Sequence, residues 1–170
     1  MNISVCTIND IELLNQICCR TFTETFEDTN TPANMSQYLE EAYSIPVLTE
    51  ELLSPDSVTY LVSDDNGEII AYMKLNKDNA QTEKGYDGSL EIQRIYIAKR
   101  VKGQGIGSKL MEIAHMKADE WNRSWIWLGV WEHNEKAKAF YAHKGFRQFA
   151  SHTFWVGDDP QTDLLLRKDL

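Results

Sequence analysis

Gly103-Gln104-Gly105-Ile106-Gly107-Ser108 is the run with the clearest chemical use in this chain. It lies between a β-branched and aromatic stretch, Leu90 to Ile97, and an apolar pattern of helical period. Glycines let successive backbone amides turn toward one anion, and a helix starting there adds the positive end of its dipole. The run reads as a phosphate cradle. It is not a dinucleotide fingerprint, because its third glycine falls one residue early and the preceding strand ends too far upstream. It is not a P-loop either, since Gly107-Ser108-Lys109 reverses the Gly-Lys-Ser order. His115, His133, His143 and His152 have no metal-ligand spacing with a supporting carboxylate, and Cys6, Cys18 and Cys19 have no zinc spacing, so no metal is expected. No nucleophilic triad is evident.

The elements that must position this cradle follow from periodicity. Asn9 and Glu12 form a capping-box-like pair before Ile11, Leu14, Cys18 and Phe22, which predicts a helix from Asp10 to Thr25. Asn34 to Tyr43 and Val47 to Leu53 predict two more, the second ending before Pro55. Val58 to Ser63 and Glu68 to Asn76 read as strands of an antiparallel hairpin turning at Asp64-Asp65-Asn66-Gly67. Lys77 to Ser89 is polar and reads as a loop, followed by the strand Leu90 to Ile97. A helix from Ile106 to about Asn122 and a strand from Trp125 to Trp131 complete a strand-helix-strand crossover, whose two strands must be parallel. Trp125, Trp127 and Trp131 alternate with Gly129 on one face, and a glycine inside a strand marks close approach of a ligand or backbone. Asn134 caps a last helix ending at Lys144-Gly145, and Phe146 to Val156 and Leu164 to Leu170 close the chain as strands. The expected fold is α/β, a mixed and mostly antiparallel sheet with helices on both faces, forming one domain over residues 1–170.

The segments Leu90-Glu91-Ile92-Gln93-Arg94-Ile95-Tyr96-Ile97, Lys102 to Gly107, Asn134-Glu135-Lys136-Ala137 and Phe140-Tyr141-Ala142-His143-Lys144-Gly145-Phe146 together resemble the GCN5-related N-acetyltransferases (GNAT). Thr21 to Phe26, Tyr38 to Glu40, Trp127 to Glu132 and Gly157 to Asp163 narrow the resemblance to the PaiA-type spermidine and spermine acetyltransferases. The resemblance implies a three-layer fold and acetyl-CoA as cosubstrate. Amides of Gly103, Gln104, Gly105, Ile106, Gly107 and Ser108, with Lys102 where the family has Gln or Arg, would hold the pyrophosphate. Backbone groups of Ile95, Tyr96 and Ile97 would pair with the pantetheine arm, with Asn134, Lys136 and Tyr141 also at the cosubstrate. Asn134 serves equally as a helix cap, and both roles can coexist.

An alkylammonium of pKa ~10.4 is almost wholly protonated at neutral pH, so amine acetylation needs a proton acceptor. The resemblance points to Glu91, acting directly or through water; a structural strand carboxylate is the alternative. Tyr141 is the matching proton donor to the leaving thiolate, with core packing beside Phe140 and Phe146 as its alternative. Without a nucleophilic side chain, direct attack of the amine on the thioester is the simpler route. Glu24, Glu27 and Asp28 either meet a cationic substrate or form a solvated helix end.

The formal net charge of -9 argues against nucleic-acid partners, because Lys and Arg supply most backbone binding. It suits a small cationic amine, although acidity also serves solubility. No apolar run is long enough to span a bilayer, and the first residues lack a signal-peptide pattern, so a cytoplasmic protein without membrane association is expected. Reduced thiols fit the odd cysteine number. The sequence leaves the oligomeric state open, a homodimer included. Two rival functions stay open: acetylation of a protein or peptide, and a non-catalytic acetyl-CoA-binding regulator.

Overall fold

A computed structural model describes all 170 residues. The chain runs β1 (Asn2–Val5), α1 (Ile11–Phe26), α2 (Pro32–Tyr43), α3 (Ile45–Leu53), β2 (Ser57–Ser63), β3 (Ile69–Asn76), β4 (Ser89–Ile97), α4 (Ile106–Glu120), β5 (Trp125–Trp131), α5 (Glu135–His143), β6 (Arg147–Val156) and β7 (Asp159–Asp169). All seven strands join one sheet in the order β1-β2-β3-β4-β5-β7-β6. Every neighbouring pair is antiparallel except β4 and β5. The parallel pair is the one that the crossover through α4 requires.

Two apolar layers sandwich the sheet. On one face Leu110, Met111 and Ala114 of α4 and Tyr141 of α5 pack against Leu75, Ile92, Ile126 and Leu128. On the other, Ile17, Cys18 and Phe22 of α1, Tyr43 of α2 and Leu48 of α3 cover Leu61 and Tyr72. The helical period of α1 therefore buries Leu14, Cys18 and Phe22 of the apolar stripe read from the sequence.

A bulge shapes the middle of the sheet. Lys74 pairs with Arg94 and Leu75 with Ile92, which leaves Gln93 without a partner on β3. Such an extra residue bends its strand and sharpens the twist. Accordingly β4 pairs with β5 only over Ser89 to Glu91, against Trp125 to Trp127, and the two strands diverge beyond that point. The Ala98 amide donates to the Ile70 carbonyl at 2.9 Å. Because antiparallel bonding alternates along a strand, the main-chain groups of Ile95 and Ile97 then face away from β3, into the split.

Three local expectations need correction. The capping pair is Thr7 and Asp10, not Asn9 and Glu12: the Thr7 amide and hydroxyl both donate to the Asp10 carboxylate, at 2.9 and 2.8 Å, in a short turn ahead of α1. Strand β1 was not foreseen, because its four residues are largely exposed and lack alternation; the edge of β2 imposes its conformation. Strand β7 starts at Asp159 rather than Leu164. Its polar first half carries no β signal but is drawn into the ladder by the tight connection that pairs Val156 with Asp159.

Candidate active site

The split between β4 and β5 opens into a cleft of about 590 Å³ that reaches the start of α4. Its lining includes Gln93 to Ile97 of β4, Leu128 to Trp131 of β5, Lys102, Gly103 and Gly105 to Ser108 of the glycine run, and Asn134, Lys136, Phe140 and Tyr141 around α5. Of the residues expected at the cosubstrate, only Gln104 is outside this lining; its side chain is exposed at the tip of the turn.

No amide from Gly103 through Ser108 donates to a backbone carbonyl. The first to do so is Lys109, bonded to the Gly105 carbonyl at 3.2 Å. Six consecutive donors thus stand free at the positive end of a 15-residue helix. Gly103 and Gly105 reach this arrangement at φ +84° and +81°, where a side chain would be strained. A Cβ at Gly107 would sit 3.3 Å from the Phe140 ring and 3.5 Å from Ile97, so glycine there lets the helix start close against β4 and α5. Asn134 lines the cleft and also caps α5, its Oδ1 accepting from the Ala137 amide at 3.2 Å. Free amides, a helix N-terminus, the nearby Lys102 and an unpaired strand edge form the chemistry that a diphosphate and its pantetheine arm would need.

Tyr141 is 7% exposed, and burial raises its phenol above the usual tyrosine range. It therefore stays protonated at neutral pH and presents an O–H to the cleft. Tyr96 lines the cleft from the opposite face of the sheet; burial likewise holds its phenol well up, aided by Tyr38 and Asp163. Sequence reasoning had given Tyr96 only a backbone role.

Glu91 does not line the cleft. It is 2% exposed, and its carboxylate accepts from the Asn76 side chain at 3.0 Å, from the Thr82 amide at 2.9 Å and from the Thr82 hydroxyl. Burial raises its pKa, opposed by those bonds and by Lys74. Asn76 links Glu91 to the cleft by a hydrogen bond, its amide also donating to Gln93 Oε1 at 2.8 Å. The loop carrying Thr82 is a three-point clamp. Gln81 accepts from Trp127 Nε1 at 2.7 Å, Thr82 holds Glu91, and Glu83 holds His152 at 2.5 Å. A polar loop in sequence, it pins three strands where β4 and β5 part.

Glu24, Glu27 and Asp28 also stand outside the lining, although Thr25 and Phe26 from the same stretch are part of it. Glu24 accepts from the Lys99 amide at 2.6 Å, while Glu27 and Asp28 face solvent. Sequence reasoning missed the buried ion group in which Glu51 of α3 receives both Arg94 nitrogens, at 2.6 and 3.0 Å, and Lys74 at 2.8 Å. Its members are far apart in sequence, so no local signal exists. No three His, Cys, Asp or Glu side chains are grouped to hold a metal ion.

The profile of the acetyltransferase (GNAT) family matches residues 13–146. The chain belongs to that family, and it is an acetyl-CoA-dependent N-acetyltransferase. An uncharacterized N-acetyltransferase from the pepI 3' region of Lactobacillus delbrueckii subsp. lactis is 45% identical over 150 residues, which is 88% of this chain and 86% of that one. An uncharacterized N-acetyltransferase of Mycobacterium tuberculosis is 25% identical over 163 residues, 96% of this chain and 99% of its own. In fold, the chain is similar to a PaiA N-acetyltransferase of Thermoplasma acidophilum solved with coenzyme A. That similarity has a TM-score of 0.81 at 18% identity and covers 100% of both chains.

Proposed function

We propose that this enzyme acetylates a primary amine of a small polycation, a polyamine of the spermidine or spermine class, by direct attack in a ternary complex. One observation carries the reading. The split in the sheet joins a run of free amides on the α4 face to a pocket on the other face walled by Tyr96, Trp131 and Phe26. The fold shared with a PaiA N-acetyltransferase supports the substrate class, as does the net charge of -9.

Acetyl-CoA supplies the activated acyl group as a thioester. The amides of Gly103 to Ser108 and Lys102 fix its diphosphate, Ile95 and Ile97 bind the arm as an added strand, and Lys136 meets its polar end. Tyr141 donates its proton to the departing sulfur. No acyl-enzyme step is needed, and burial pushes the Cys6 and Cys18 thiols up to about 12, too high to supply a thiolate at neutral pH. Glu91 takes the amine proton through water, since its carboxylate is closed off from direct contact. The bonds that close it off favour a second reading of the same residue, as the anchor of the Thr82 loop. Glu24, Glu27 and Asp28 contribute a negative field at the mouth. No helix is long and apolar enough to cross a membrane.

The test is release of free thiol from acetyl-CoA across polyamines, amino acids, aminoglycosides and peptides. Highest kcat/KM with polyamines is expected. Preference for a peptide, or binding of acetyl-CoA without amine-dependent release, would overturn the reading.

A further inference from the structure

Asp163 lies on β7 opposite Trp131 of β5 and His152 of β6. Cross-strand partners share a face, so Asp163 stands on the side of the sheet that carries Trp131, whose ring meets Phe26 at 5.8 Å. Gly129, two residues before Trp131, shares that face and lines the cleft. A Cβ at Gly129 would come within 3.2 Å of Asp163 Oδ2. Asp163 itself is outside the lining of the cleft, but glycine leaves its carboxylate without a covering side chain on the side of Gly129, which is part of that lining.

The carboxylate is poorly satisfied for its depth. It is 16% exposed, and its one ionic partner is His152 Nε2 at 3.7 Å, a charge pairing longer than a hydrogen bond. The other ring nitrogen of His152 is taken by Glu83 at 2.5 Å. Two carboxylates therefore share one imidazole, and an excess negative charge remains beside Gly129. Tyr38 and Tyr96 are near enough to feel that charge, and Tyr38 meets Phe154 at 5.5 Å. A carboxylate with an excess of negative charge around it is a setting that stabilises an alkylammonium. The amine under attack must be neutral, whereas an adjacent carboxylate keeps an amine protonated. Asp163 is therefore suited to an ammonium of the acceptor other than the one that reacts.

We propose that Asp163, uncovered by Gly129, anchors a second ammonium group of the acceptor, so that the site selects linear diammonium and polyammonium alkanes over monoamines. This rests on the acetyl-transfer reading of the cleft and assigns its specificity.

The experiment is calorimetric titration of the CoA-loaded protein with putrescine and with butylamine near neutral pH, in the native chain and in three variants. Native protein should bind putrescine more tightly than butylamine. Asp163→Asn should lose about tenfold in putrescine affinity, as expected for one charge-assisted contact, with butylamine unaffected. Gly129→Ala should weaken putrescine by covering the carboxylate. His152→Gln should tighten it by removing the competing cation, a gain that a loss of folding cannot mimic. Equal binding of the two amines by native protein, or putrescine affinity unchanged in both Asp163→Asn and His152→Gln, would overturn the proposal. An Asp163-dependent putrescine preference without thiol release would support the anchor and count against the polyamine transferase reading. Thiol release at equal efficiency with both amines would support acetyl transfer in this cleft and overturn the anchor.

Discussion

In the proposed reading burial and chemistry act in the same direction at Tyr141: desolvation keeps the phenol protonated, and the proton is what a departing thiolate would need. A thiolate of pKa ~8.5 is not a poor leaving group, so Tyr141→Phe should lower kcat by roughly tenfold to a hundredfold with the KM for acetyl-CoA little changed, measured by steady-state thiol release. An unchanged kcat would remove the acid role. Glu91 separates its two readings by which quantity moves. As a proton acceptor, Glu91→Gln should depress kcat/KM for the amine and alter the acidic limb of its pH profile while the melting temperature holds. As a loop anchor, it should instead lower the melting temperature, because Thr82 loses a charged acceptor. That Tyr141 and the glycine run belong to one cleft was legible from sequence because each is part of a short local pattern. The enclosure of Glu91 was not, since Asn76 and Thr82 come from separate segments and acquire meaning only when folded.

Among the elements, the bulge at Gln93 makes the cleft, and the ion group behind it holds the bend. Glu51 ties α3 to β3 through Lys74 and to β4 through Arg94, with Lys74 held below the usual lysine range by burial despite that carboxylate. Glu51→Ala would leave two buried cations without their counterion. It should cost ~3–5 kcal/mol and lower the melting temperature by about 10 °C, read by thermal denaturation. A loss of only a degree or two would mean that the group is solvated and does not brace the strand. The hairpin at Asn66-Gly67, the crossover through α4 and the parallel β4–β5 pair were legible because turn chemistry and handedness fix them locally. The bulge was hidden, since Gln93 is unpaired only relative to the register of β3. Strand β1 and the polar half of β7 were hidden for a related reason: neighbouring strands dictate them, not their own side chains.

For the whole molecule, the sheet separates two tasks. In the proposed reading the α4 face receives an anionic cosubstrate at free amides, and the opposite face, in a chain of net charge -9, is suited to a cation. The His152 cluster links this charge pattern to stability. Asp163 and then Glu83 raise its pKa to about 9, against burial. A histidine raised in the folded state contributes stability fully below its unfolded value of about 6.5, and loses that contribution as pH climbs through about 9. The melting-temperature advantage of native protein over His152→Gln should therefore be largest near pH ~6 and fade toward pH ~9.5, followed by scanning calorimetry. An advantage that grows with pH would refute this ion pairing.

That amides of the glycine run hold the diphosphate of coenzyme A is tested most directly by a crystal structure with acetyl-CoA. Phosphate oxygens should lie about 3 Å from amides between Gly103 and Ser108, with the pantetheine arm running between β4 and β5 toward Tyr141. A cosubstrate bound elsewhere, with those amides still unpartnered, would contradict it.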